Sequence, residues 1–193
     1  MLRWLPVTGG VLASVGGLLW LGGFLDTDEG PTAIPLALFP LLFGAGVVGL
    51  GSIPGARPNV SRWVRVAAVA AATAASVALV VSENVAAESW LAYAGWLVFV
   101  GGLVGLWALV IAFGMAHLRT PRLSGIARLA VLVGVSPLAF TALGFGYKAL
   151  TGWWVTDPDL IRIGEVTAAL VIGGGWLVLG CGIAIRALIS SRP

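Results

Sequence analysis

Few side chains in this sequence can carry acid–base, nucleophilic or metal chemistry. The chain has 193 residues but only one histidine, His117, and one cysteine, Cys181. A zinc site needs three or four ligands, and a haem held by two histidines needs a second histidine. A lone cysteine also excludes an intrachain disulfide and the paired thiols of disulfide exchange. We therefore expect no metal site and no cofactor.

The other polar residues do not form a catalytic constellation. An intramembrane serine protease needs a serine beside a histidine, but no Gly-x-Ser-x-Gly segment accompanies His117. The glycine run at 173–175 lacks the lysine and Ser/Thr of a phosphate-binding loop. The only candidates for an enzyme are three acidic residues near the tryptophans at 153 and 154, namely Asp157, Asp159 and Glu165. We therefore expect that the protein is not an enzyme.

One motif remains in the middle of an apolar run, the pair Ser136-Pro137, with Thr141 one helical turn later. Proline has no amide hydrogen, so it leaves a carbonyl of the preceding turn without its helical partner. Broken helices of this kind line substrate sites in many transporters, but a hydroxyl or a neighbouring helix can also satisfy the break. We favour a packing kink. The alternative is a substrate path along Ser136, Pro137, Thr141 and Gly174.

The elements that hold these residues are strongly apolar. Hydrophobic residues make up 59% of the chain and charged residues only 10%, against about 25% charged in a soluble domain. A helix over the 27 uncharged residues 90–116 exceeds a hydrocarbon core of about 30 Å, at about 1.5 Å per residue. The predicted fold class is all-α, with one domain over residues 1–193 that forms a bundle of six transmembrane helices. The predicted spans are approximately 5–25, 35–53, 63–81, 90–116, 126–147 and 166–188.

Charge placement predicts the orientation of this bundle. With Arg3 on the cytoplasmic side, nine of the eleven basic residues fall on that side, and all eight acidic residues fall on the other. Only Lys148 and Arg162 are exceptions. Because short loops follow the positive-inside rule, both termini are expected to be cytoplasmic. The membrane that the protein is expected to span is the cell (plasma) membrane. The net charge of +3 therefore reflects membrane orientation, and we expect no nucleic-acid partner.

Residues at the ends of the runs predict how each helix begins and where it meets the headgroups. Ser61 is expected to be the N-cap of the third helix. Tryptophan prefers the interface between membrane and water, and five tryptophans lie at predicted helix ends. These are Trp4, Trp63, Trp90, Trp153 and Trp154.

Small residues recur at helical spacing and suggest close helix packing. Gly9, Ala13 and Gly17 are spaced by four residues, and the third run contains two stripes of alanines at the same spacing. Such stripes allow another helix to approach closely in a bilayer. We therefore predict a small integral membrane protein that packs as a homo-oligomer or as a subunit of another membrane protein, with the lipid bilayer as its surroundings. The alternative is a small transporter or channel for an uncharged or lipid-like substrate.

Overall fold

The structure, a computed structural model, is all-helical wherever it describes the chain. It describes residues 4–25, 33–151 and 158–190, with side chains except at 23–25, 33–35, 141, 144–151, 158–161 and 165. The helices are α1 (Leu5–Leu25), α2 (Ala33–Leu50), α3 (Pro58–Glu83), α4 (Trp90–His117), α5 (Ser124–Thr151), α6 (Pro158–Ala169) and α7 (Gly175–Ser190). A π-helical turn at Leu170–Gly174 joins α6 directly to α7, so the described residues form six helical rods.

Four of the rods are long and apolar enough, by length and composition, to cross a membrane. The other two contain shorter apolar helical segments, Leu36–Leu50 and Ser124–Phe140. The prediction of an all-α fold is confirmed, and each predicted run overlaps a helix. The four long segments are Leu5–Gly22, Pro58–Glu83, Trp90–His117 and Arg162–Ser190.

The start of α3 differs from the prediction. The helix begins at Pro58, and its N-cap is Arg57, which makes no side-chain capping bond. The prediction that Ser61 caps this helix is therefore wrong, since Ser61 is buried inside its first turns. Proline suits the first helical position, because its fixed φ is already helical and the missing amide would have no partner there. The apolar pattern alone placed this start too late.

The ends of two other rods also extend beyond the predicted runs. The helix α5 continues to Thr151, and the last rod begins at Pro158, so part of the predicted outer loop is helical. Residues 152–157, including Trp153, Trp154 and Asp157, lie outside the described residues. The start of α4 matches the prediction, and Ser89 caps it by accepting a hydrogen bond of 3.2 Å from the amide of Ala92.

The rods pack in a closed arrangement. Each of α1 to α5 packs against the next rod in the chain, and the last rod packs against both α1 and α5. The helix α2 also contacts α4 and α7, which places it on the inside. Its Phe43 stacks on Trp176 of α7, with ring centroids 4.5 Å apart and planes 4° from parallel, and both side chains are fully buried. The centre of the bundle is therefore an apolar, aromatic core.

Small residues allow α1 to approach both of its neighbours closely. Gly9 lies against Gly49 of α2, where a methyl group built at Gly9 would fall 2.8 Å from the Gly49 Cα. Two turns further along α1, Gly17 lies against the carbonyl oxygen of Gly173 in the π-helical turn of the last rod. Ala13, between them, is fully buried. The stripe predicted on the first helix therefore serves packing inside the bundle.

Candidate functional site

The single histidine is a structural link between two parts of the chain. His117, at the end of α4, is fully buried, and its Nε2 accepts a hydrogen bond of 2.9 Å from the backbone amide of Arg57. Because Nε2 accepts, Nδ1 carries the proton and donates it to the carbonyl oxygen of Phe113, 2.9 Å away. Both ring nitrogens are occupied, so His117 holds the turn before α3 against α4. No local feature of the sequence predicts this bond, which joins residues sixty positions apart.

The single cysteine lies beside another polar side chain on a neighbouring helix. The Sγ of Cys181 in α7 is 3.5 Å from the hydroxyl oxygen of Ser14 in α1. That hydroxyl also lies 3.0 Å from the carbonyl oxygen of Gly10, to which it donates. In the described part of the chain, no three His, Cys, Asp or Glu side chains gather as metal ligands.

The Ser136-Pro137 pair lies inside a helix that continues through it. Pro137 is buried in α5, and the helix extends beyond it to Thr151. The carbonyl that loses its usual amide partner is that of Val133, four residues earlier. The hydroxyl of Ser136 donates to this carbonyl at 3.3 Å. The serine therefore gives that carbonyl a donor within the same helix, and no substrate is needed for that purpose.

Of the other two residues of the predicted substrate path, the structure describes the surroundings of Gly174 alone. The side chain of Thr141 lies outside the described residues. Gly174 ends the π-helical turn, and a methyl group built there would meet nothing within 4 Å. The next residue, Gly175, faces α5 instead, with its built methyl group 3.2 Å from a Val133 methyl. The π-helical turn thus packs beside α5 about one turn before Pro137, an irregularity that the apolar pattern did not predict.

Three cavities lie away from this path. A groove of about 260 Å³ lies among α1, α2 and α3, and a cavity of about 310 Å³ lies between the end of α3 and the start of α4. A third, of about 440 Å³, lies between the turn before α3, the turn before α5 and the end of α7. We call this end of the bundle the basic end. None of these three walls contains Ser136, Pro137 or Gly174.

One outward surface of α4 is made of small residues. Spacings of four, three and four residues place them on one side of the helix, and each is exposed or partly exposed. A methyl group built at Gly101 would meet nothing within 4 Å, and one at Gly105 would meet only Ala71 of α3, at 3.9 Å. We call this surface the α4 small-residue face. Its members are Gly101, Gly105, Ala108 and Ala112.

The neighbouring glycine of α4 shows how the inner surface differs. A methyl group built at Gly102 would lie 2.6 Å from the Ala75 side chain, because α3 packs closely there. Large exposed side chains flank the α4 small-residue face, among them Leu97, which is 56% exposed. The face is therefore a shallow apolar depression that no described part of the chain covers.

Comparison of the chain with known protein families, with characterised proteins and with solved structures gives no match.

Proposed function

We propose that the chain is a six-span integral membrane protein of the cell membrane, with both termini cytoplasmic, which assembles as a homo-oligomer or with another membrane protein and has no catalytic chemistry. The long apolar helices and the large apolar side chains on the outer surface support the membrane location, since water-facing patches of this extent are rare in soluble monomers. Trp63 and Trp90, near helix starts, are 74% and 77% exposed, as expected of indoles at the headgroups.

The arrangement of charged residues supports the orientation. Arg122 and Arg186 line one cavity at the basic end, while Glu83 and Glu88 flank the turn between α3 and α4 at the opposite end. The positive-inside rule assigns the basic end to the cytoplasm. An even number of spans then places both termini there.

Cysteine labelling tests this orientation. In a Cys181→Ala background, Ala86→Cys between α3 and α4 should react with an impermeant maleimide in intact cells. Pro121→Cys, before α5, should react only after the cells are opened, because the membrane shields the basic end. Both positions are exposed, so accessibility within the protein does not separate them. Labelling of Pro121→Cys in intact cells would contradict the proposed orientation.

The observation that carries the assembly proposal is the uncovered α4 small-residue face. Lipid tails are as apolar as leucine, so helices associate in a bilayer through close packing, which small residues permit. Gly101 and Gly105 are spaced as in small-xxx-small contacts between membrane helices. A two-fold axis beside α4 would place this face against the same face of a second copy. A homo-oligomer is therefore the first assembly that we propose, and a different membrane subunit is the second.

A larger side chain on the α4 small-residue face should weaken this assembly. We expect Gly101→Leu to reduce the association constant by about tenfold or more, because the leucine holds the two backbones apart. Light scattering of the protein in mild detergent gives the oligomer mass over a range of concentrations. Gly125→Leu is the matched control, since Gly125 is also helical, exposed and without a neighbour within 4 Å.

Crosslinking in membranes separates the two kinds of assembly. With Cys181 replaced by alanine, Ala108→Cys should form a disulfide-linked dimer in a homo-oligomer, and Gly101→Leu should abolish it. A wild-type protein that is monomeric at every concentration, with no membrane protein copurifying, would overturn the assembly proposal. Equal oligomer masses for Gly101→Leu and the wild type would exclude the α4 small-residue face as the contact surface.

A further inference from the structure

The cavity at the basic end concentrates positive charge between three separate parts of the chain. Its volume is about 440 Å³. Two of the residues in its wall are arginines, and they belong to the turn before α5 and to α7. The full wall consists of Pro54, Gly55, Arg122, Arg186, Ile189 and Ser190.

Arg186 has a hydrogen-bond donor for which the described protein around it provides no acceptor. Its side chain is partly buried, and its Nε atom is buried with no hydrogen-bond partner in the described chain. Arg122 is exposed, and neither arginine forms an ion pair with a carboxylate of the described residues. A buried guanidinium nitrogen without a partner is destabilising, and a nearby anion removes that penalty. The cavity therefore favours a negatively charged occupant.

No acidic side chain that the structure describes is placed to supply this charge. The described acidic side chains, Glu83 and Glu88, flank the turn after α3, at the opposite end of the bundle. The other six acidic residues follow α1 or α5 in the sequence or lie in α6, near the start of the last rod. The described chain reaches the basic end at the start of α1, at the turns before α3 and α5, and at the end of α7. The acidic side chains that the structure describes therefore do not supply the anion.

The residues in the wall of the cavity favour a ligand with a phosphate group and an apolar tail. Guanidinium groups match the geometry of phosphate oxygens, and the amide of Gly55 donates to no other group of the described chain. Ile189, also in the wall, is 55% exposed, and Ile185, one turn earlier on the same side of α7, is 57% exposed. Basic pockets between membrane helices at the cytoplasmic side bind anionic lipid headgroups.

We propose that this cavity binds the phosphate group of an anionic phospholipid, with its acyl chains along Ile185 and Ile189 of α7. Arg186 and Arg122 would hold the phosphate oxygens. Free inorganic phosphate would make the same contacts with the arginines, but it has no acyl chain to contact Ile185 and Ile189. The proposal requires the bundle to lie in a membrane, but it is independent of assembly through the α4 small-residue face.

Lipid-dependent stabilisation of the full chain tests the proposal. In mild detergent, phosphatidylglycerol should raise the unfolding temperature more than phosphatidylcholine does, and inorganic phosphate should have little effect. Arg186→Gln should lower the affinity for phosphatidylglycerol by about tenfold, because it removes charge-assisted hydrogen bonds. Arg122→Gln should lower it by about fivefold, because it removes a direct contact with the phosphate that water partly screens at this exposed arginine.

Arg128→Gln is the matched control for loss of charge. Arg128 is an exposed arginine in the second turn of α5, outside the wall of the cavity, and its variant should bind phosphatidylglycerol as wild type does. Equal weakening in Arg128→Gln and Arg186→Gln would show diffuse attraction to charged lipid and overturn the site. Stabilisation by inorganic phosphate equal to that by phosphatidylglycerol would overturn the lipid assignment. If Arg186→Gln does not fold, the comparison of Arg122→Gln with Arg128→Gln decides the question.

Discussion

Replacing Gly17 with alanine should lower the free energy of unfolding by about 3 kcal/mol. The added methyl group would fall against the carbonyl oxygen of Gly173 and 2.6 Å from the amide nitrogen of Leu177. Both are backbone atoms, so no side-chain rotation can make room, and α1 must move away from the last rod. Unfolding of the purified protein in mild detergent, followed by tryptophan fluorescence or circular dichroism, measures the change.

Gly22 provides the matched control on the same helix. A methyl group built at Gly22 meets nothing within 4 Å. Because alanine is favoured over glycine in a helix by about 1 kcal/mol, Gly22→Ala should leave stability unchanged or raise it. The two substitutions are chemically identical, but only Gly17→Ala should lower the free energy of unfolding. Equal effects at both positions would contradict the close contact between α1 and the π-helical turn.

Replacing His117 with alanine should also lower the free energy of unfolding by about 3 kcal/mol. The substitution opens a space where a fully buried ring stacks on Phe113, and it leaves the amide of Arg57 without its acceptor. The turn before α3 would then lose its link to α4. Hydrogen exchange should show the Arg57 amide becoming more accessible while the middle of α4 stays protected.

A glutamine at this position separates loss of the bond from loss of volume. The glutamine side chain carries an oxygen that can accept from the Arg57 amide, so His117→Gln should recover part of the stability that His117→Ala loses. Unchanged exchange at Arg57 in His117→Ala would show that the bond does not hold the turn. His117→Gln, which keeps an acceptor for the Arg57 amide, should leave lipid binding unchanged, because His117 is outside the wall of the cavity at the basic end.

The sequence by itself determined that the chain is helical and where most of its helices lie. Apolar runs long enough to span a bilayer are local features, and a helix is the structure that satisfies every backbone group within such a run. The run predicted at 90–116 is therefore found as the helix Trp90–His117. Starts that lie in polar sequence, such as Pro58, were predicted less well, because hydropathy does not mark them.

The tertiary structure alone decided which side of each helix faces the interior. The fourth run is apolar all round, so its sequence has no periodicity to distinguish Gly102, which packs on α3, from Gly101, which faces outward. The bond between His117 and Arg57, and the placement of Arg122 and Arg186 around one cavity, likewise involve positions far apart in the chain. Such contacts depend on how the rods pack against each other, which is a property of their combined shapes and not of any one segment.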